Sequence, residues 1–229
     1  MKLNSKRTIL VGLAFLSICA FWQMYDSIVP LILTKTFHMN ETFSGAIMAA
    51  DNILALFLLP FFGSVSDKSH TKIGKRMPFI LFGTGCAIIL MNILPLLDNS
   101  YAAQPSGFKT ASFVIVLGLL LVAMGTYRAP AVALMPDVTP KPLRSRANAI
   151  INLMGAVGGI LYLGVAAVLY PNSKTAGLDH VNYQPLFIVV SAIMFIAIAI
   201  LFLTVKEPKL TAENQALEKQ HPEWNLAQD

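Results

Sequence analysis

The sequence predicts an all-α fold: a six-helix bundle set in a membrane, with both termini in the cytoplasm. Three observations predict it. Apolar residues make up 55% of the 229 and charged residues only 13%, about half the charged share of a soluble domain. Six apolar segments are each long enough to cross a bilayer. The basic residues gather in alternate connections. A water-soluble chain could not hide so much apolar surface, because its exterior must be polar. Mean hydropathy is +0.64, which excludes a disordered chain. Cys19 and Cys86 both sit inside apolar runs and read as small hydrophobes, without metal-ligand spacing or a disulfide framework.

The segments are roughly 9–33, 42–64, 78–97, 111–134, 148–170 and 183–205. A hydrocarbon core ~30 Å thick takes ~20 helical residues per crossing, so each can span. Helix is required because lipid gives an open backbone no hydrogen-bond partner. The short alternating strands of a β-barrel are absent. The first segment has a basic lead but runs on without a small-residue cleavage site, so it reads as a retained span. Thirteen of the 17 Lys and Arg fall on one side: Lys2, Lys6 and Arg7; Lys68, Lys72, Lys75 and Arg76; Lys141, Arg144 and Arg146; Lys206, Lys209 and Lys219. Lys35, Lys109 and Lys174 fall on the other, and Arg128 lies within a span. The positive-inside rule places the richer side in the cytoplasm. This asymmetry accounts for the net charge of +5 without nucleic acid and predicts attraction to anionic lipid. Residues 1–206 thus form the spanning unit, and 207–229 a polar cytoplasmic tail that breaks from it and contains one short surface helix.

Three ionisable residues lie inside spans: Asp26, Asp51 and Arg128. Each costs roughly 2.5–3.5 kcal/mol at a helix centre, so each is expected to face the bundle interior or a water-filled cavity. They serve either as a polar knot that fixes packing or as a pathway or binding group. Counting ~1.5 Å per residue puts Asp26 ~12 Å and Asp51 ~14 Å below the outer ends of their helices, and Arg128 ~26 Å down. Two acids at one level, with the arginine too deep to pair, suit a proton or sodium site. If the acids approach each other, their repulsion favours cation uptake. Trp22 shares a helix face with Asp26, and Gln23 lies beside it. Tyr25 adjoins Asp26, Asn52 adjoins Asp51, and Tyr162 of the fifth span reaches a similar level. Carboxylates, amides and aromatic rings together suit a polyhydroxylated ligand such as a sugar; plain packing is the competing role for Trp22 and Tyr25.

Pro30 removes the hydrogen bond to the Asp26 carbonyl, and Pro130 the one to Thr126, next to Arg128. Freed carbonyls at mid-membrane are what transporters use for coordination. The stretch YDSIVP in the first span has a short echo in YRAP of the fourth, as a 3+3 inverted repeat would produce. Gly155 and Gly159 form a GxxxG pair, which serves either close packing inside the bundle or docking of further helices.

The connection after the second span reads GSVSDKSHTKIGKRMPFI from Gly63. Basic residues alone would satisfy orientation. This stretch adds Gly63, expected to allow close helix approach, and Asp67, an acceptor for a helix N-terminus or a basic group. It also adds Gly74, which lets the chain turn, followed by Lys75 and Arg76. Arg76 can reach Asp137 at the far end of the fourth span. Such a cluster can latch the cytoplasmic ends of the helices.

This pattern resembles the signature loop of the major facilitator superfamily, in the longer form of the sucrose transporters and the glycoside–pentoside–hexuronide cation symporters. RAPAVALMPD ending at Asp137, followed by RANA from Arg146, is similar to the fourth-to-fifth-span region of sucrose-transporter-like proteins. One departure is that Arg128 stands nine residues before Asp137 rather than five. Asp26 and Asp51 resemble the acids of cation-coupled glycoside symporters. The resemblance implies a twelve-helix transporter that rocks around a central site, of which this chain is the N-terminal six-helix half. It implies cation-coupled symport of a sugar or glycoside, a plasma-membrane location, and a partner in the missing C-terminal half. The other readings are a truncated or non-transporting chain, or a subunit needing a separate second half. An intramembrane enzyme is disfavoured because no span contains a histidine. A channel is disfavoured because no filter motif is present. His38, His70, His180 and His221 are scattered in connections and tail, and neither a metal nor a cofactor is expected.

Overall fold

The computed structural model describes residues 3–225. Lys2, counted above on the basic side, and the last four residues of the polar tail lie outside the described residues. Among the described residues six helices are long and apolar enough to cross a membrane. They are α1 (Ser5–Leu31, prolonged by a π-helical turn Ile32–Thr36), α2 (Glu41–Lys68), α3 (Met77–Ala103), α4 (Gly107–Val138), α5 (Arg144–Leu169) and α6 (Gln184–Thr204). A shorter polar helix, α7 (Glu207–Gln220), follows. No β-strand is present among the described residues.

Local chemistry sets the helix ends. The Asn4 side chain accepts from the Arg7 N–H at 3.0 Å, and Asn40 from Phe43 at 2.8 Å, so both act as N-caps. Pro78 and Pro185 stand in the first turns of α3 and α6, where a missing N–H costs nothing. The end of α4 is tied by Arg144, whose guanidinium donates to the carbonyls of Thr139 and Pro136 at 3.1 and 2.9 Å. The chain passes Pro30 inside α1 and then widens into the π-helical turn, with the Phe37 N–H reaching back to Ile32.

Helix α1 packs against α5 and α6, α3 against α4 and α6, and α2 against α4. Exchanging the first three helices for the last three maps these pairs onto one another: α1–α5 becomes α4–α2, α3–α4 becomes α6–α1, and α3–α6 is unchanged. The pairing therefore has the symmetry of a 3+3 repeat, of which the sequence carried only the YDSIVP and YRAP echo. Phe21, Met24, Phe113, Tyr127, Met91 and Phe187 are fully buried in the centre. Polar ties stitch the helices: Tyr127 of α4 bonds the Ser17 hydroxyl and donates to the Ala14 carbonyl at 2.9 Å, and Asn92 of α3 donates to Ser191 of α6 at 2.6 Å. Helix α2 is the outlier. None of its apolar window is buried, and only Ser44 and Ser66 along it are.

Glycines set the closest approaches. A Cβ at Gly158 would stand 2.1 Å from the Leu16 carbonyl oxygen, and one at Gly155 2.9 Å from the Cys19 sulfur. Gly159 has only the Gln23 amide at 3.8 Å, and Gly63 has nothing within 4 Å. Of the GxxxG pair only Gly155 makes a close approach within the bundle, the tightest one falls to Gly158 outside the motif, and Gly63 does not serve the helix approach expected of it. Helix α7 also departs from expectation. The polar tail does not break from the bundle, because Glu207 and Asn214 are buried against it.

Candidate functional site

The membrane-depth residues converge on one side of α1, α2 and α4. Asp26 is exposed, Asp51 half-buried and Asn52 exposed. The two carboxylates lie within electrostatic reach of each other, and the Tyr25 ring stands within reach of both. Asn52 holds one Asp51 oxygen through its backbone N–H at 2.6 Å and its side-chain amide at 2.9 Å, which fixes the carboxylate against its own helix. Trp22 packs edge-on against Phe21 and Tyr25, both with ring centroids 5.3 Å away.

Arg128 lies beside Trp22, which stands one helical turn before Asp26 on α1. Its guanidinium sits 5.6 Å from the centre of the Trp22 ring. With Trp22 and Asp51 it lines a narrow cavity of about 20 Å³, walled by Leu54, Leu58 and Gly125. No carboxylate among the described residues lies within 4 Å of Arg128, so it faces the aromatic ring as a cation–π partner. The cavity has room for about one water, far less than a sugar.

The other expected contacts are more enclosed. Tyr25 is fully buried, with its hydroxyl unpartnered, and the Trp22 indole N–H is likewise buried without an acceptor. Tyr162 is 2% exposed and stands beside Ser27 of α1. Gln23 is half-buried and lies against Gly159 of α5. Tyr25 therefore backs the acids, while Tyr162 is packed against α1 beside Ser27.

The connection between α2 and α3 brings its expected residues together. Arg76 is 4% exposed. Its Nε donates to Asp137 at 2.9 Å, and its terminal nitrogens reach Asp67, the Ser66 hydroxyl and, at 3.3 Å, the Gly63 carbonyl. Lys75 adds contacts to Asp137 at 3.3 Å and Asp67 at 3.9 Å. One guanidinium thus ties the end of α2 to the end of α4, with its fork of donors used on both carboxylates. The role of Gly63 is as a carbonyl acceptor. Gly74 takes φ +120°, a conformation that glycine adopts without strain.

Sequence reasoning missed Glu207. Its carboxylate, 1% exposed, accepts from the backbone N–H groups of Lys75, Arg76 and Met77 at 2.8, 2.9 and 2.8 Å. It caps α3 from 130 residues away, where the helix dipole favours a negative charge. Any side chain at Gly74 would collide with it, since a Cβ would stand 2.2 Å from a Glu207 oxygen. Further along α7, Asn214 donates to the Asp137 carbonyl at 3.1 Å, and Glu218 pairs with Arg144 at 3.0 Å. Helix α7 is therefore a strap from the α2–α3 connection to the start of α5. Asp98 was also missed because α3 runs past the expected end of its span. It is fully buried within reach of Thr36 and His180, at the end away from the termini, where the neighbouring Asn99 meets the His180 ring at 2.9 Å.

Comparison with known proteins places this geometry in context. The sucrose transport protein SUC3 of Arabidopsis thaliana is 34% identical over an alignment of 158 residues that covers 64% of this chain and 26% of that protein. The sucrose transport protein SUT3 of Oryza sativa subsp. indica is 34% identical over 61% of this chain and 30% of its own length. Human solute carrier family 45 member 3 is 25% identical over 80% of this chain and 34% of its own length. The chain spans between a quarter and a third of these relatives. The family description that matches residues 11–226 is that of the Major Facilitator Superfamily; with six helices long and apolar enough to cross a membrane, the chain belongs to that superfamily as a multi-pass membrane protein.

Proposed function

We propose that the chain is the N-terminal half of a plasma-membrane symporter that moves a sugar or glycoside together with a proton or sodium ion by alternating access. Family membership sets the enzyme reading aside. The observation that carries the proposal is the meeting of Trp22, Asp51 and Arg128 around one cavity between α1, α2 and α4, with Asp26 one turn along α1 from Trp22. Two carboxylates within each other's field repel each other, and a bound cation offsets that repulsion. Loading the ion therefore favours a closed, substrate-engaged arrangement, and its loss favours opening. The Trp22 ring, the Gln23 and Asn52 amides and Arg128 supply the stacking surface and hydrogen-bonding groups that a polyhydroxylated solute needs. The names of the plant relatives support a sugar as that solute. The cavity beside Arg128, about 20 Å³, is too small for one, so the opposite wall comes from a second six-helix bundle. The Arg76, Asp67 and Asp137 cluster closes the cytoplasmic end, and both termini lie in the cytoplasm.

The test joins the chain to the C-terminal half of a sucrose transport relative and measures gradient-driven accumulation of labelled sucrose in proteoliposomes. Asp26→Asn and Asp51→Asn are compared with the unaltered fusion. At least one is expected to abolish accumulation against a gradient while leaving exchange. Retention of full accumulation by both variants would remove these acids from coupling.

A further inference from the structure

The N-terminus and the junction between α6 and α7 are distant in sequence but meet in the fold. Lys6, Arg7 and Leu10 of α1 face Val205, Lys206 and Lys209 across a cavity of about 460 Å³. A second cavity of about 330 Å³ lies on the other side of the same junction, shares Val205, Lys206 and Lys209, and adds Lys72 and Phe202. Five cations stand around the two cavities against one carboxylate, Glu213, which lines the larger of them. No carboxylate among the described residues lies within 4 Å of Lys6, Arg7, Lys72 or Lys206, and Lys209 has only Glu213 at 4.0 Å, in an exposed pair. The Lys206 ammonium lies 5.8 Å from the Phe202 ring, so its stem runs along apolar surface while its head stays at the rim.

The position of these cavities narrows the ligand. Lys6 and Arg7 stand in the first turn of α1, and Lys206 follows directly on the last turn of α6. Both helices become apolar immediately beyond. The cations therefore ring the boundary between headgroups and hydrocarbon, while Leu10, Val205 and Phe202 continue the wall towards the acyl chains. A soluble anion would use the cations alone; the apolar floor fits a ligand that carries a phosphate and hydrocarbon together. We propose that this junction is a binding seat for the phosphate of an anionic phospholipid, in the leaflet on the side of the termini. Lys206 and Lys209 bracket Glu207, the cap of α3, so a lipid held here braces the strap that carries the cap.

The experiment uses the purified full chain, exchanged into mixed micelles of phosphatidylcholine and phosphatidylglycerol, with retained lipid read by native mass spectrometry. Phosphatidylglycerol is expected to be retained in preference to phosphatidylcholine. The double variant Lys206→Gln/Lys209→Gln should weaken that preference roughly fivefold per charge, about thirtyfold in all. Lys206→Arg/Lys209→Arg should preserve it. Lys68→Gln/Lys219→Gln removes the same charge from the same end outside both cavities and should leave the preference intact. An equal loss in this last variant would reduce the effect to diffuse attraction and overturn the seat. Displacement of the lipid by an equal concentration of inorganic phosphate would overturn the lipid assignment.

Discussion

At the scale of single residues, the latch separates what side chains announce from what they do not. Arg76, Asp67 and Asp137 were legible because opposite charges beside a glycine turn have few uses at the ends of apolar helices. Glu207 was not, because its partners are three backbone N–H groups, which leave no trace in side-chain identity. Its removal should nevertheless be costly. Glu207→Ala leaves three donors at the start of α3 without their carboxylate and is expected to destabilise the chain by about 2–3 kcal/mol. Glu207→Gln keeps one acceptor oxygen and should cost about half as much. Thermal unfolding of the two variants in detergent checks both values, and an unchanged midpoint for Glu207→Ala would show that the cap is dispensable. Arg76→Lys provides the complementary test at the same junction. A lysine carries the charge but cannot donate to Asp67 and Asp137 at once through a planar fork. It should recover less than half of the stability lost in Arg76→Ala.

At the scale of helices, hydropathy was sufficient to place six spans, since length and apolarity alone decide what can cross. It could not rank their depth or their neighbours. Spacing puts Arg128 too deep to pair with the acids but gives no sign that its guanidinium lies 5.6 Å from the centre of the Trp22 ring. Helix length, tilt and side-chain reach all enter that distance, and none can be read from spacing. The GxxxG pair shows the same limit: the motif signalled a close approach, and the fold decided which glycines made it. A graded outcome follows. Gly158→Ala places a methyl group 2.1 Å from a backbone oxygen of α1, and neither helix can yield locally, so a loss of about 1–3 kcal/mol is expected. Gly155→Ala meets the Cys19 sulfur at 2.9 Å, the end of a movable side chain, and should cost less. Gly159→Ala has room and gains helix propensity, so it should be neutral or stabilising by up to about 1 kcal/mol. Unfolding midpoints in the order Gly159→Ala, Gly155→Ala, Gly158→Ala, highest first, would support α1–α5 as the closest helix contact; any other order would refute it.

At the scale of the whole molecule, orientation decides which face the Arg76 cluster and the proposed lipid seat serve, because both lie at the end that bears the termini. The structure changes how the charge count should be weighed. Lys75 and Arg76 are engaged with Asp67 and Asp137, and Arg144 with Glu218, so several basic residues on the richer side are neutralised. On a net-charge view this would weaken the asymmetry. The positive-inside rule, however, counts Lys and Arg near span ends and gives acids little weight, and ion pairs that form only in the folded bundle come after insertion has been decided. The orientation should therefore follow the thirteen-to-three count. Single cysteines test this in a chain carrying Cys19→Ala and Cys86→Ala. His70→Cys lies in the α2–α3 connection, and Ala176→Cys lies between α5 and α6; both positions are exposed. A membrane-impermeant maleimide added to intact cells should label Ala176→Cys and spare His70→Cys until the cells are opened. The reverse pattern would put the latch on the outer face and invert the direction in which the proposed cycle opens.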